Sequence, residues 1–274
     1  MKTGAAVLPS PLSRPSKTEL AGWTKLDTGK GRRRAGMFIA EGQKVVSELL
    51  NSPRHTAALL CLGEKERIWK PLAVRYLAGS SGMERLYLLD GGEWKRLSQD
   101  RESEGVMALV RIEPLRPWLD LLIHASGNIL LLDRINNPNN LGAILRSAHW
   151  FGFKTVFLSA AAVDWTHPKA VRSSMGSLFH LNIAADLDFT KVLPEVSRVC
   201  LLVGSDVRQG VGPHQTDRRT ALLLGSETHG LPEDFLAWVA ERWHIPGAGE
   251  AESLSLPQAA AVMMYEIGKE RGNS

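Results

Sequence analysis

Short unbroken apolar runs recur along this chain, separated by amphipathic stretches and by turns rich in Asn, Gly and Pro. The run ILLL at 129–132 shows no polar alternation. Such runs mark strands of a parallel sheet covered on both faces. A second run, TVFL, follows at 155–158. Between them Asn136, Asn137, Pro138, Asn139 and Asn140 form a polar turn, and Asn139 is expected to cap the helix that follows. In that helix Gly142 and Arg146 are four residues apart and share a face. The whole reads as a βαβ unit with polar groups on the loop after its first strand, where open α/β sheets bind ligands.

The pattern continues toward the C-terminus. LLVG at 201–204 and ALLL at 221–224 predict two more strands, and His244 and Ile245 a short one. VRSSMGSLF at 171–179 predicts a short helix with Gly176 at a close-packing position. A helix is expected over 232–240, with Pro232 in its first turn, and another from about Pro257. Ala259, Ala260 and Ala261 would let this last helix approach its neighbours closely.

The first half alternates more finely. EGQKVVSELLN at 41–51 is an amphipathic helix with Val45, Leu49 and Leu50 on its apolar side. Strands are expected over 57–62, 85–89 and 105–110. Together they predict a compact three-layer α/β domain over 18–113. It has no cluster of catalytic residue types, so its expected role is binding. Residues 1–17, rich in Pro and Ser, read as a disordered tail. The two prolines of EPLRPW make 114–119 a stiff linker, and a second domain of strand–helix alternation runs over 120–272.

Composition changes this picture little, and charge changes it more. The 274 residues are 44% hydrophobic and 23% charged, ordinary for a globular protein, and no apolar run approaches the roughly 20 residues that span a bilayer. The N-terminus lacks the apolar core of a secretory signal. Cys61 and Cys200 have no metal-ligand spacing and are expected as buried thiols in a reducing, cytoplasmic setting, with no metal site. Residues 1–115 carry 19 Lys/Arg against 13 Asp/Glu, a net of +6, whereas the remainder carries 14 against 16, a net of −2. Lys25, Lys30, Arg32, Arg33 and Arg34 crowd into ten residues opposed only by Asp27. Such a patch suits a polyanion, most simply RNA, and Arg32, Arg33 and Arg34 are its candidate contacts.

Two further stretches carry chemistry. In LLLGSETHGL at 222–231, a strand ends in Gly225 and presents the carboxylate of Glu227 on a loop with glycines at both ends. It matches neither a dinucleotide loop nor a P-loop. In HIPGAGEAESLSLPQAAAVMMYE at 244–266, a Gly-rich loop reaches Ser253, Leu254 and Ser255 before the last helix.

The three stretches, in the order N-x-G-x-x-x-R, L-G-x-E-x-x-G-L and I-P-G…S-L-S-L, resemble the SpoU (TrmH) branch of the SPOUT RNA 2′-O-ribose methyltransferases. The resemblance covers roughly residues 120–271. Residues 20–112 are similar to the L30e-like RNA-binding module that often precedes this domain, with FIAEG at 38–42 and GVMALV at 105–110 fitting its pattern. The resemblance implies an α/β fold: a parallel sheet flanked by helices, a deep C-terminal trefoil knot, and a smaller N-terminal L30e-like domain. It implies S-adenosylmethionine held by Leu224, Gly225, Glu227 and Gly230 on one side and by Ile245, Pro246, Ser253 and Leu254 on the other. It also implies a homodimer, rRNA or tRNA as partner, and no membrane association. Asn140, Arg146, Glu227 and Ser255 fall on its catalytic positions.

The implied reaction is in-line attack of a ribose 2′-hydroxyl on a sulfonium methyl. A guanidinium, as a class, stays protonated and is a poor base. Arg146 is therefore expected to clamp the adjacent phosphate and stabilise oxyanion charge. One departure stands out: the family's third motif usually reads S-L-N-V-S, and here Ser255 occupies the Asn position. The alternative is a catalytically impaired relative that binds RNA in ribosome assembly.

Overall fold

The computed structural model describes residues 12–78, 85–100, 102–250 and 252–269. By contacts the chain divides into two compact units. One comprises Met1–Glu113 with Thr166–Phe179, and the other Pro114–Trp165 with His180–Ser274.

The first unit contains β1 (Leu12–Ser13), α1 (Lys17–Thr24), α2 (Gly29–Ala35), β2 (Met37–Glu41), α3 (Gln43–Leu49), β3 (Thr56–Leu62), α4 (Glu66–Ala78), β4 (Arg85–Leu89), α5 (Gly91–Lys95) and β5 (Val106–Arg111). Its sheet is mixed, in the order β1-β4-β3-β5-β2, with β3 antiparallel to β5 and parallel to β4. Leu20, Trp23, Leu26, Trp94 and Leu97 cover one face, against Leu60, Tyr87, Met107 and Leu109. The expected tail needs correction where it is described. Leu12 and Ser13 pair with Leu86 and Tyr87, and Ser16 caps α1 by accepting from the Glu19 amide at 3.2 Å. Residues 1–11 of that tail lie outside the described residues.

Residues 166–179, which the alternation had assigned to the second domain, pack with the first unit instead. Gly176 sits so tightly on α3 that an added Cβ would stand 2.4 Å from the Cβ of Glu48. Phe179 stacks on Phe38 with centroids 6.4 Å apart, and Arg172 pairs with Asp100 at 2.7 Å.

The second unit is built from α6 (Trp118–His124), β6 (Ile129–Leu132), α7 (Pro138–Trp150), β7 (Thr155–Ser159), β8 (Asn182–Leu187), α9 (Phe189–Val199), β9 (Leu201–Ser205), β10 (Thr220–Leu224), α10 (Glu233–Leu236), β11 (Glu241–Trp243) and α11 (Leu256–Gly268); the intervening α8 (Pro168–Ser173) belongs to the first unit. The expected linker ends early, because Trp118 already opens α6. All six strands are parallel, in the order β11-β9-β10-β6-β7-β8. Every residue of β6 and β10 is buried, as expected of central strands covered on both faces. On one face Ile129, Leu131, Ala221 and Leu223 meet Leu122, Val192 and Leu193 from α6 and α9. Elsewhere α11 packs on α7 and β10.

The strand order reverses between β6 and β10. The chain steps outward from β6 through β7 to β8, returns to β9 beyond, and then inserts β10 beside β6. Such a reversal opens a crevice at the carboxyl ends of the strands, where α/β sheets hold ligands.

Candidate active site

All six strands end at this carboxyl edge, and the loops after β6, β10 and β11 carry the three sequence stretches. The loop after β6 is short. Asn137, rather than Asn139, caps α7: its side chain accepts from the Asn139 amide at 2.9 Å, and Pro138 occupies the first turn. The helix thus starts two residues earlier than the turn chemistry suggested, which makes Asn140 its third residue. From there its Nδ2 donates to Oε1 of Glu227 on the loop after β10. The first two sequence stretches therefore meet directly.

The β10 loop is shaped by its glycines. Gly225 faces the backbone of Gly230, where a Cβ would stand 2.4 Å from the carbonyl carbon and oxygen. Gly230 takes φ +63°, which a residue bearing a side chain adopts only at a cost of about 1–2 kcal/mol. A bridge between Ser226 and Gly230 closes the turn, with the Gly230 amide donating to the Ser226 carbonyl at 2.9 Å. Leu224 and Gly225 are buried, whereas Glu227 and Gly230 are exposed.

Arg146 is exposed on α7 and forms no ion pair among the described residues. It is therefore available to an incoming anion. Ile245, Pro246, Ser253 and Leu254 lie on the loop after β11, and no hydrogen bond among the described residues ties them to the other two stretches. Their loop runs into α11, which packs on the helix bearing Asn140 and Arg146. Ser255 is the N-cap of α11, and its amide donates to the Gln258 side chain at 3.3 Å. The strand expected at His244 and Ile245 lies instead at Glu241–Trp243. Similarly, α10 ends at Leu236, short of the expected 232–240 helix.

Comparison with known proteins decides the family. The model of the SpoU rRNA Methylase family matches residues 127–265. The chain belongs to this family. It is 33% identical over 260 residues to the 23S rRNA (uridine(2479)-2′-O)-methyltransferase of Streptomyces viridochromogenes, covering 91% of this chain and 88% of that protein. It is 25% identical over 248 residues to the 23S rRNA (guanosine(2553)-2′-O)-methyltransferase RlmP of Bacillus subtilis, covering 89% and 94%. Among solved structures, it superposes with TM-score 0.81 and 28% identity on the SpoU methyltransferase AviRb of Streptomyces viridochromogenes in complex with the cofactor AdoMet, over 93% of this chain and 98% of that one.

The basic stretch of this SpoU chain divides in an unexpected way. Arg32, expected on an RNA-facing surface, is 2% exposed. Its Nε donates to Thr166 Oγ1 at 3.0 Å, and its Nη1 donates to the carbonyls of Leu26 and Asp27 at 3.1 and 3.0 Å. It is a structural cation that ties the 166–179 segment into the first unit. Arg33 and Arg34, next along α2, are exposed.

Asp133 and Arg134, which sequence reasoning passed over, lie at the end of β6. Arg134 has φ +53°, its Nε donates to the buried Asp133 carboxylate at 2.7 Å, and its Nη2 donates to the Gly230 carbonyl at 3.2 Å. An Asp–Arg pair directly after an apolar strand was the only available signal.

Proposed function

We propose that this chain is an S-adenosylmethionine-dependent RNA 2′-O-ribose methyltransferase acting on rRNA or tRNA, with 23S rRNA favoured by the names of its relatives. The observation that carries this reading is the Asn140–Glu227 hydrogen bond, which joins the first two family motifs at the switch point of the sheet. AviRb, the SpoU relative crystallised with AdoMet, supports the same cofactor here. The donor set suits it too. Gly230 has open space where a Cβ would stand and so offers bare backbone to a ligand, and Nδ1 of His244, beside Ile245, is buried without a partner among the described residues. A buried polar atom left unpaired is costly, and a bound polar molecule would relieve it.

Leu224, Gly225, Glu227 and Gly230 would then hold the cofactor from one side and Ile245, Pro246, Ser253 and Leu254 from the other. When bound, S-adenosylmethionine supplies an electrophilic methyl group. The protein's own work is to align the ribose oxygen and manage its proton. Arg146, exposed and without an ion pair among the described residues, binds the neighbouring phosphate and stabilises charge developing on the 2′-oxygen. Asn140 holds Glu227 in place from the helix above the loop. Ser255 starts α11, and because Ser and Asn are nearly equivalent N-caps, the departure from the family residue preserves that helix start.

The first unit is the RNA-binding module in this reading, with Arg33 and Arg34 as contacts. The functional form is a cytoplasmic homodimer, and the C-terminal segment forms the family's trefoil knot. Trp150, 81% exposed at the end of α7, together with Val262 and Tyr265, exposed on α11, supports a subunit interface there. No described helix is long and apolar enough to cross a membrane.

Calorimetry with S-adenosylmethionine and mapping of ribose methylation in total RNA, with and without the protein, test the reading together. Saturable cofactor binding and one protein-dependent 2′-O-methyl position are expected. RNA binding with no cofactor binding would leave only an assembly role.

A further inference from the structure

The β10 loop that carries Glu227 is held at two shoulders, both from the segment that follows β6. One is the Asn140–Glu227 bond. The other is Arg134, and everything about its setting points to a fixed position. Its amide donates to the Ser159 hydroxyl, itself buried, at 2.9 Å. Its backbone lies in the left-handed region, which non-glycine residues occupy mainly where surrounding contacts impose it. Its guanidinium is forked, with Nε on Asp133, whose side chain is 5% exposed, and Nη2 on the carbonyl of Gly230. The Gly230 peptide is thereby pinned between Gly225 beneath and the guanidinium beside it.

A surface arginine gains nothing from a left-handed backbone and a buried carboxylate. Both make sense if the fork must be aimed at one carbonyl. We infer that Arg134 is a positioning residue: anchored by Asp133, it latches the 225–231 loop in the form that accepts the cofactor. The inference rests on the proposed S-adenosylmethionine site. It assigns Arg134 to cofactor affinity, apart from the role of Arg146 toward RNA. Lysine cannot replace it, because one ammonium on a flexible stem cannot hold both partners in a planar fork.

The test compares the full-length wild type with Arg134→Gly, Arg134→Lys and Asp133→Asn. Glycine removes the side chain and relieves the backbone, so a loss of function in this variant cannot come from left-handed strain. If Asp133, left unpaired, prevents folding of Arg134→Gly, Arg134→Lys retains a cation beside it and carries the measurement. S-adenosylmethionine affinity by calorimetry should fall about tenfold in the Arg134 variants, the loss expected for a charge-assisted hydrogen bond that organises a site. KM for the cofactor should rise with it, while KM for RNA and RNA affinity stay within about twofold, since a rim contact with phosphate would act on RNA binding alone. Asp133→Asn should reproduce the effect more weakly. Wild-type cofactor affinity retained in both Arg134 variants, or a loss confined to RNA binding, would overturn the latch. Failure of the wild type itself to bind the cofactor would overturn the proposed function and is read separately.

Discussion

Arg32 in the first unit and Arg146 in the second have the same side chain and opposite fates. Arg32 sits in a dense basic run that invites a nucleic-acid reading, yet it is buried and saturated by Thr166, Leu26 and Asp27. Arg146 stands in an unremarkable helical context and is exposed without an ionic partner among the described residues. Local charge density reports what a segment is made of, not which way each residue faces. Three consecutive arginines on α2 point about 100° apart, so at least one of them must approach the core. A motif at the end of a buried parallel strand carries more information, because the topology of the sheet fixes where that end lies.

The comparison breaks most sharply on turnover. Arg146→Ala should lower kcat by about 10²–10³-fold, the range for losing one preorganised charge partner of a transition state. Its thermal midpoint should not move. Single-turnover assays beside a melting curve check both halves. A normal rate would make Arg146 a surface residue like any other.

Arg32→Ala should do the reverse, costing about 3 kcal/mol of stability in chemical denaturation because buried carbonyls and a hydroxyl lose their donor. Arg32→Lys should recover little, since a single ammonium cannot reach all three acceptors. RNA affinity of the remaining folded protein should be unchanged. By contrast, Arg33→Ala and Arg34→Ala should leave stability within about 0.5 kcal/mol. Each should weaken RNA binding and reduce the slope of log affinity against log salt by about 1. A salt titration of binding separates these arginines in one experiment.

β6 and β10 were readable in the sequence because coverage on both faces demands unbroken apolar residues. β8, with the sequence NIAADL, and β11, with ERW, are edge strands with polar positions, and their signal fell below the turns around them. Asn140, Gly225 and Glu227 are reached through the family motifs they resemble, Asn140 in the first turn of α7 and the other two on the loop after β10. The left-handed Arg134 could not be read, since φ is not written in side-chain type. Nor could the packing of 166–179 with the first unit, because Gly176 on Glu48 and Phe179 on Phe38 join residues more than a hundred positions apart.

The smallest predicted effect sets desolvation against hydrogen bonding at a pair of half-buried carboxylates in the first unit. Burial pushes the Glu41 carboxyl above its ordinary range, against the opposing hydrogen bonds from Ser98, Gln99 and Ser103. Folding therefore takes up a proton there, and the stability it contributes is full below the unfolded pKa and lost as pH rises through the folded one. Glu19 is half-buried, and the Tyr87 hydroxyl, followed by Ser16, holds its carboxyl below the ordinary range. Its contribution is present above the unfolded pKa and is lost as pH falls through the folded one. Unfolding free energies measured from pH 3 to 8 on the wild type, Glu41→Gln and Glu19→Gln should then diverge in opposite senses. The wild type should lose ground to Glu41→Gln as pH rises past the usual carboxylate range, and lose ground to Glu19→Gln as pH falls below it. Parallel curves for the two variants would mean that burial does not set the sign at Glu41, and the lesson drawn from Arg32 would then hold for geometry but not for charge.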